Sequence, residues 1–210
     1  LSFPKDENRI LYGGINVINS ELEIQDTEII NSNSEDAINI ISSISEIKGL
    51  TVKNIEADAI DIDFGKINFE KILCENISND CFDASGAHVN GSFLTGNNIY
   101  DKGLSFGENS IGEIFNIDFQ NTRLGIAVKD GSKLKLSKYK LANNDYDLAS
   151  SYNDATKIII IEDYASPKVV TDQTNSILFK YSPDYTARLN FVANGDNWIV
   201  PGIFFGNPQF

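Results

Sequence analysis

The chain contains no methionine, one histidine (His88), one tryptophan (Trp198), two cysteines and five prolines. Each scarcity removes a class of explanation. A single imidazole gives little support to a histidine-based zinc site or a Ser-His-Asp triad, although a carboxylate-only calcium site needs no histidine. No segment approaches the run of about 18 apolar residues that marks a membrane span. The apolar stretch from Ile158 to Ile161 is far too short, and the N-terminus lacks the basic-then-apolar order of a signal peptide. Because the chain begins at Leu1 and has no methionine, it is expected to be a processed product or a fragment of a larger protein. Positive charge is also scarce. Seventeen Lys and Arg stand against 30 Asp and Glu, a net charge of −13, which argues against nucleic-acid recognition. The local basic stripe Lys133, Lys135, Lys138 and Lys140 alternates with Leu134, Leu136, Tyr139 and Leu141, and reads as the solvated face of a strand pair, with a polyanion site as the alternative. Cys74 falls in an apolar column, so it and Cys81 are expected as free buried thiols, although a pair seven residues apart can be bridged.

What is present is a repeat. Asp36-Ala-Ile-Asn-Ile, Asp58-Ala-Ile-Asp-Ile, Asp80-Cys-Phe-Asp-Ala, Lys102-Gly-Leu-Ser-Phe, Leu124-Gly-Ile-Ala-Val and Tyr146-Asp-Leu-Ala-Ser superimpose at a constant offset of 22 residues. A period this short, rich in β-branched residues, signals a solenoid with about three short strands per turn. Ile38, Ile60, Phe82, Leu104, Ile126 and Leu148 form one apolar column, and Ile40, Ile62, Ala84, Phe106 and Val128 a second, two residues on. Both columns must share the inner face of a strand. Asn39, Asp61, Asp83, Ser105 and Ala127, lying between them, are expected to face outward. Gly65, Gly86, Gly107 and Gly131, with Asn109 and Asn153 nearby, are expected at a tight corner that needs positive φ. The abundant Asn, as in Asn54-Ile-Glu and Asn76-Ile-Ser, is expected to stack as a corner ladder rather than to accept glycans.

Near residue 150 the register fades, and aromatics and prolines take over. Residues 1–152 are therefore read as parallel β-helix coils, and residues 153–210 as terminal irregular coils and a β-rich cap on the same solenoid. Trp198 and Phe204 are expected as packed cap aromatics, with sugar stacking as the alternative. The fold class is all-β: a single-stranded right-handed parallel β-helix of about 22-residue coils.

The segments Asp58-Ala-Ile-Asp-Ile-Asp63, Asn79-Asp-Cys-Phe-Asp83, Asp101-Lys-Gly-Leu-Ser-Phe-Gly107 and Leu124-Gly-Ile-Ala-Val-Lys-Asp130 resemble the right-handed β-helix proteins of the pectate-lyase-like superfamily. Their order and spacing are similar to the four motifs of polygalacturonase-type glycoside hydrolases. That resemblance implies carbohydrate lying across outward side chains of successive coils, with catalytic positions Asp58, Asp80, Asp83, Lys102 and Lys129. The match is incomplete: Asn79 stands for the first carboxylate of the family's Asp pair, Lys102 for its histidine and Ala127 for its arginine. Inverting hydrolysis needs an acid and a base spaced to admit water, so ordinary polygalacturonase activity is not expected. The string from Asp101 to Ser110 with Gly125 to Ser132 also resembles β-helix segments of large bacterial surface or secreted proteins, some carrying lamin-tail or spore-coat-H-like modules.

The residues themselves suggest an acidic ladder. Asp61 and Asp83 belong on adjacent coils about 5 Å apart, with Asp63 beside them. Like charges that close raise a pKa or recruit a cation. Three readings stay open there: corner carboxylates accepting backbone N–H groups with Lys102 paired to Asp80, contact with a saccharide or a weakly held calcium ion, and catalysis. Asp61, Asp63 and Arg123 are the candidate carbohydrate-binding residues; no dedicated metal site or other cofactor is expected. The leading expectation is a non-catalytic carbohydrate-facing or structural module of a larger extracellular or cell-surface protein, its partners polysaccharide or neighbouring modules. The alternatives are a polysaccharide hydrolase or lyase, and a phage tailspike or adhesin fragment.

Overall fold

Alternating β-branched and polar residues favour extended backbone with one face buried. The structure, a computed structural model, describes residues 13–130, 132–150, 168–171, 177–180 and 203–205, and every regular element among them is a strand. β1 (Gly13–Ile18), β2 (Glu21–Ile24) and β3 (Thr27–Ile30) make the first turn of a solenoid, and β4 (Asp36–Ile41), β5 (Ile44–Ile47) and β6 (Leu50–Ile55) the second. β7 (Asp58–Asp63) and β8 (Lys66–Ile77) follow, β8 bending through a corner to supply two sides. β9 (Phe82–Ser85), β10 (His88–Gly107), β11 (Ile111–Val128), β12 (Lys133–Ala142) and β13 (Tyr146–Ser150) continue the coil. All pairings from β1 to β13 are parallel, in about six turns of about 22 residues. β14 (Lys168–Thr171) and β15 (Ile177–Lys180) are antiparallel to each other, β15 is antiparallel to β13, and β16 (Ile203–Phe205) is parallel to β12. The remainder of the expected 153–210 cap, Trp198 included, lies outside the described residues.

The register follows the repeat. Ile38 pairs with Ile60, Phe82 with Leu104, and Leu104 with Ile126, and all five are completely buried. Each such side chain contributes about 1.5–3 kcal/mol by leaving water, so the column helps to hold successive coils together. A Cβ on Gly91 would sit 2.0 Å from the Phe69 ring, so the aromatic of one coil fills the space left by the glycine of the next.

The corners use asparagine more than glycine. Ser42, Phe64, Gly86, Glu108 and Asp130, 22 residues apart, all have positive φ, so the first-strand corner falls one residue away from Gly65 and Gly107; of the glycines expected there, only Gly86 shows positive φ. Asn109 also has positive φ, whereas Gly131 and Asn153 lie outside the described residues. A second corner is left-handed at Asn31, Asn54, Asn76, Asn98, Asn121 and Asn143. Asparagine tolerates this conformation and its amide can bond to the next. Asn54 donates to Asn31 at 3.1 Å, Asn76 to Asn54 at 3.0 Å and Asn98 to Asn76 at 3.0 Å.

The cysteines correct the sequence-based expectation. Cys74 and Cys81 form a disulfide, their Cα atoms 5.8 Å apart. Cys74 does lie in an inward column, paired with Val52, but the chain turns a corner after Ile77 and brings Cys81 back against it in the same core. That return makes the seven-residue separation bridgeable.

Candidate functional site: the acidic face of the first sheet

β1, β4, β7, β9 and the last residues of β10 and β11 lie side by side, stacking each repeat's opening residues. In the leading column Asp36 pairs with Asp58, and Asp80 and Lys102 continue it. The Asp58 carboxylate accepts the backbone N–H of Asp80 at 2.7 Å, and the Asp80 carboxylate that of Lys102 at 3.0 Å. Lys102 Nζ lies 3.0 Å from both Asp80 oxygens and also contacts Asp101, which Arg123 meets at 3.3 Å. Asp36 accepts from the Asn39 amide at 2.9 Å.

The next column runs Asn39, Asp61, Asp83, Ser105, Ala127 in register. It points away from the apolar columns as expected, yet it is not open to water. Asn39 and Ser105 are buried, and Asp61 and Asp83 are half-buried. Rungs stacked about 4.8 Å apart shield one another's side chains, so outward direction is not the same as exposure. Asn39 Oδ1, Asp83 Oδ1 and Ser105 Oγ have no hydrogen-bond partner among the described residues. Asp63 begins a third column, beside Ser85 and Gly107.

Burial with few counter-charges sets the electrostatics. Burial pushes Asp61 up to about 8, helped by the charges of Asp63, Asp36, Asp83 and Asp58. Burial also raises Asp80 to about 7 against the pull of Lys102, and Asp36 to about 6 against its bond from Asn39. Asp58 and Asp63 are raised by burial too. For Lys102, burial acts downward, but its bonds to Asp101 and Asp80 outweigh it and hold the ammonium charged. At neutral pH this face therefore holds carboxyl groups that are partly protonated.

Of the sequence-predicted positions, Asp58, Asp61, Asp63, Asp80, Asp83 and Lys102 come together on this face. Arg123 joins through Asp101, exposed at its rim. Lys129 does not reach the carboxylates: it follows β11, two coils beyond Asp83 and two residues along, roughly 12 Å away by strand geometry. Its side chain instead runs over Gly107. Among the described residues no three acidic, histidine or cysteine side chains converge as a metal-ligand set. None forms a helix long and apolar enough to cross a membrane.

Two features escaped the sequence reading. Phe93 and Phe115 are half-exposed, their rings 6.4 Å apart and edge-on, with Lys138 Nζ 5.1 Å above Phe115. A groove of about 570 Å³ on a different side of the coil gathers Lys66, His88 and Lys133. The signal for the groove was the spacing of those three residues in the second strand, 22 and then 45 residues, about one and two repeats, with Ile111 on the coil between His88 and Lys133. No protein-family model, curated protein or solved structure matches this chain.

Proposed function

We propose that this chain is a non-catalytic, carbohydrate-facing β-helix module of a larger extracellular or cell-surface protein, with the architecture of the pectate-lyase-like superfamily. The observation that carries the non-catalytic reading is the use made of Asp58 and Asp80. Each accepts the backbone N–H of the following coil, and Lys102 is bound to Asp80, so the motif carboxylates serve as corner fasteners. The carboxylate oxygens that accept these bonds are not free to orient a water. The Cys74–Cys81 bridge supports an oxidising, exported location. Incubation with acidic and neutral polysaccharides should release neither reducing ends nor unsaturated sugars, and Lys102→His should not create activity. Product release by the parent protein overturns the reading.

One observation favours a polysaccharide-active enzyme instead. Asp61, raised to about 8, would carry a proton beside Asp83 in the next strand. Two carboxyls on neighbouring strands stand about 5 Å apart, the separation used by retaining glycosidases. If turnover is found, Asp61→Asn and Asp83→Asn must each abolish it; turnover that survives both places the chemistry elsewhere.

A further inference from the structure

The groove on the second side of the coil is chemically unlike the acidic face. Lys66, His88, Ile111 and Lys133 stack in one register column, and Asn68, Asn90, Glu113 and Lys135 in the next but one. Between the two columns lie Val89 and Gly112, which form the floor. Gly112 is sterically required there, because a Cβ would meet two Phe106 ring carbons at 2.7 Å and the Val89 carbonyl oxygen at 3.1 Å. The Phe106 ring fills that space from the core side, so Gly112 presents bare backbone to the groove floor.

Charge in the groove is unbalanced. Lys135 is neutralised by Glu113 at 2.7 Å, and Asn68 donates to Glu46 at the groove's edge. Lys66 and Lys133 form no ion pair among the described residues, in a chain with 30 acidic residues against 17 basic ones. Lys48, Lys53, Lys102 and Lys140 all have carboxylate partners. Two ammonium groups with no ion-pair partner among the described residues, set in one groove of a protein this acidic, suit an anionic ligand. They lie three strands apart, about 14 Å, which is too far for one small ion and fits a chain of several sugars. The cations are lysines, point charges suited to a tetrahedral oxyanion, and no arginine fork is present to prefer a planar carboxylate. Ile111, half-exposed, offers apolar surface to a sugar ring, and Asn90 offers an amide to its hydroxyls.

We infer that this groove binds an oligosaccharide bearing sulfate or phosphate esters, with Lys66 and Lys133 each meeting an ester group and Asn90 a hydroxyl between them. The inference rests on the carbohydrate-facing reading and assigns it a place and a ligand class. Calorimetry on the full chain would compare a heparin-derived hexasaccharide, a phosphorylated mannan fragment, an oligogalacturonate and a neutral cello-oligosaccharide. The sulfated or the phosphorylated probe should bind, the one that does identifying the ester, and binding should weaken as salt rises from about 0.05 to about 0.3 M. Lys66→Glu with Lys133→Glu should reduce affinity by about tenfold or more. Lys48→Glu with Lys53→Glu, an equal change in net charge away from the groove, should leave it within about twofold. Equal binding of oligogalacturonate or the neutral probe, or an unaffected Lys66/Lys133 variant, overturns the assignment while the carbohydrate-facing reading stands. If no probe binds, that reading falls as well.

Discussion

The Asp80 carboxylate binds Lys102 twice, accepting its backbone N–H at 3.0 Å and its side-chain ammonium at 3.0 Å from each oxygen. One acidic residue thus fastens the backbone of the next coil and neutralises its charge. Asp80→Ala removes both interactions within a buried corner and should lower unfolding free energy by about 3 kcal/mol. Asp80→Asn retains an acceptor for the N–H and should cost about 1 kcal/mol. Urea titration measures both, and midpoints equal to the parent's would refute the fastening role.

The acidic face gives stability a definite pH dependence. Asp36, Asp80 and Asp61 are raised to about 6, 7 and 8, above their ordinary value of 3.8. Acids raised on folding bind protons more tightly in the native state. Their contribution is complete below pH 3.8 and is lost as pH rises through about 6, 7 and 8. The melting temperature should therefore be higher by about 5 °C at pH 5 than at pH 9. Asp61→Asn with Asp83→Asn should flatten this dependence and raise stability near neutral pH. A double variant that lowers the melting temperature only when calcium is present would instead make the ladder a metal site.

Phe64 holds a left-handed backbone, φ 54°, with its ring largely exposed over Gly86. A bulky side chain there costs roughly 1–2 kcal/mol. Asparagine bears the same conformation in the neighbouring ladder, so Phe64→Asn should stabilise the fold by about 0.5–1 kcal/mol. A loss of stability on chemical denaturation would show that the ring's packing over Gly86 outweighs the strain.

The Cys74–Cys81 bridge closes a short loop at a buried corner. Native protein should take up no thiol reagent, and Cys74→Ala with Cys81→Ala should cost about 2 kcal/mol. Two thiols labelled after unfolding without reductant would restore the free-thiol reading.

The coil and its register were legible because a solenoid repeats one environment at a constant offset. Ile38, Ile60, Phe82, Leu104 and Ile126 could therefore be aligned from the sequence before any contact was known. The asparagine corner was legible for the same reason, as an interval between Asn54, Asn76 and Asn98. Three features needed the folded chain. The bridge depended on how the corner after Ile77 returns Cys81 to Cys74, which one-dimensional spacing does not specify. The left-handed corner at Phe64 was masked by Gly65, because the backbone strain is borne one residue before the glycine. The acidic column's direction was periodic, but its burial came from neighbouring rungs, and burial is what raises Asp61 and Asp80. Periodicity records which side of a strand a residue occupies; its solvation and partners are set by the side chains that folding stacks around it.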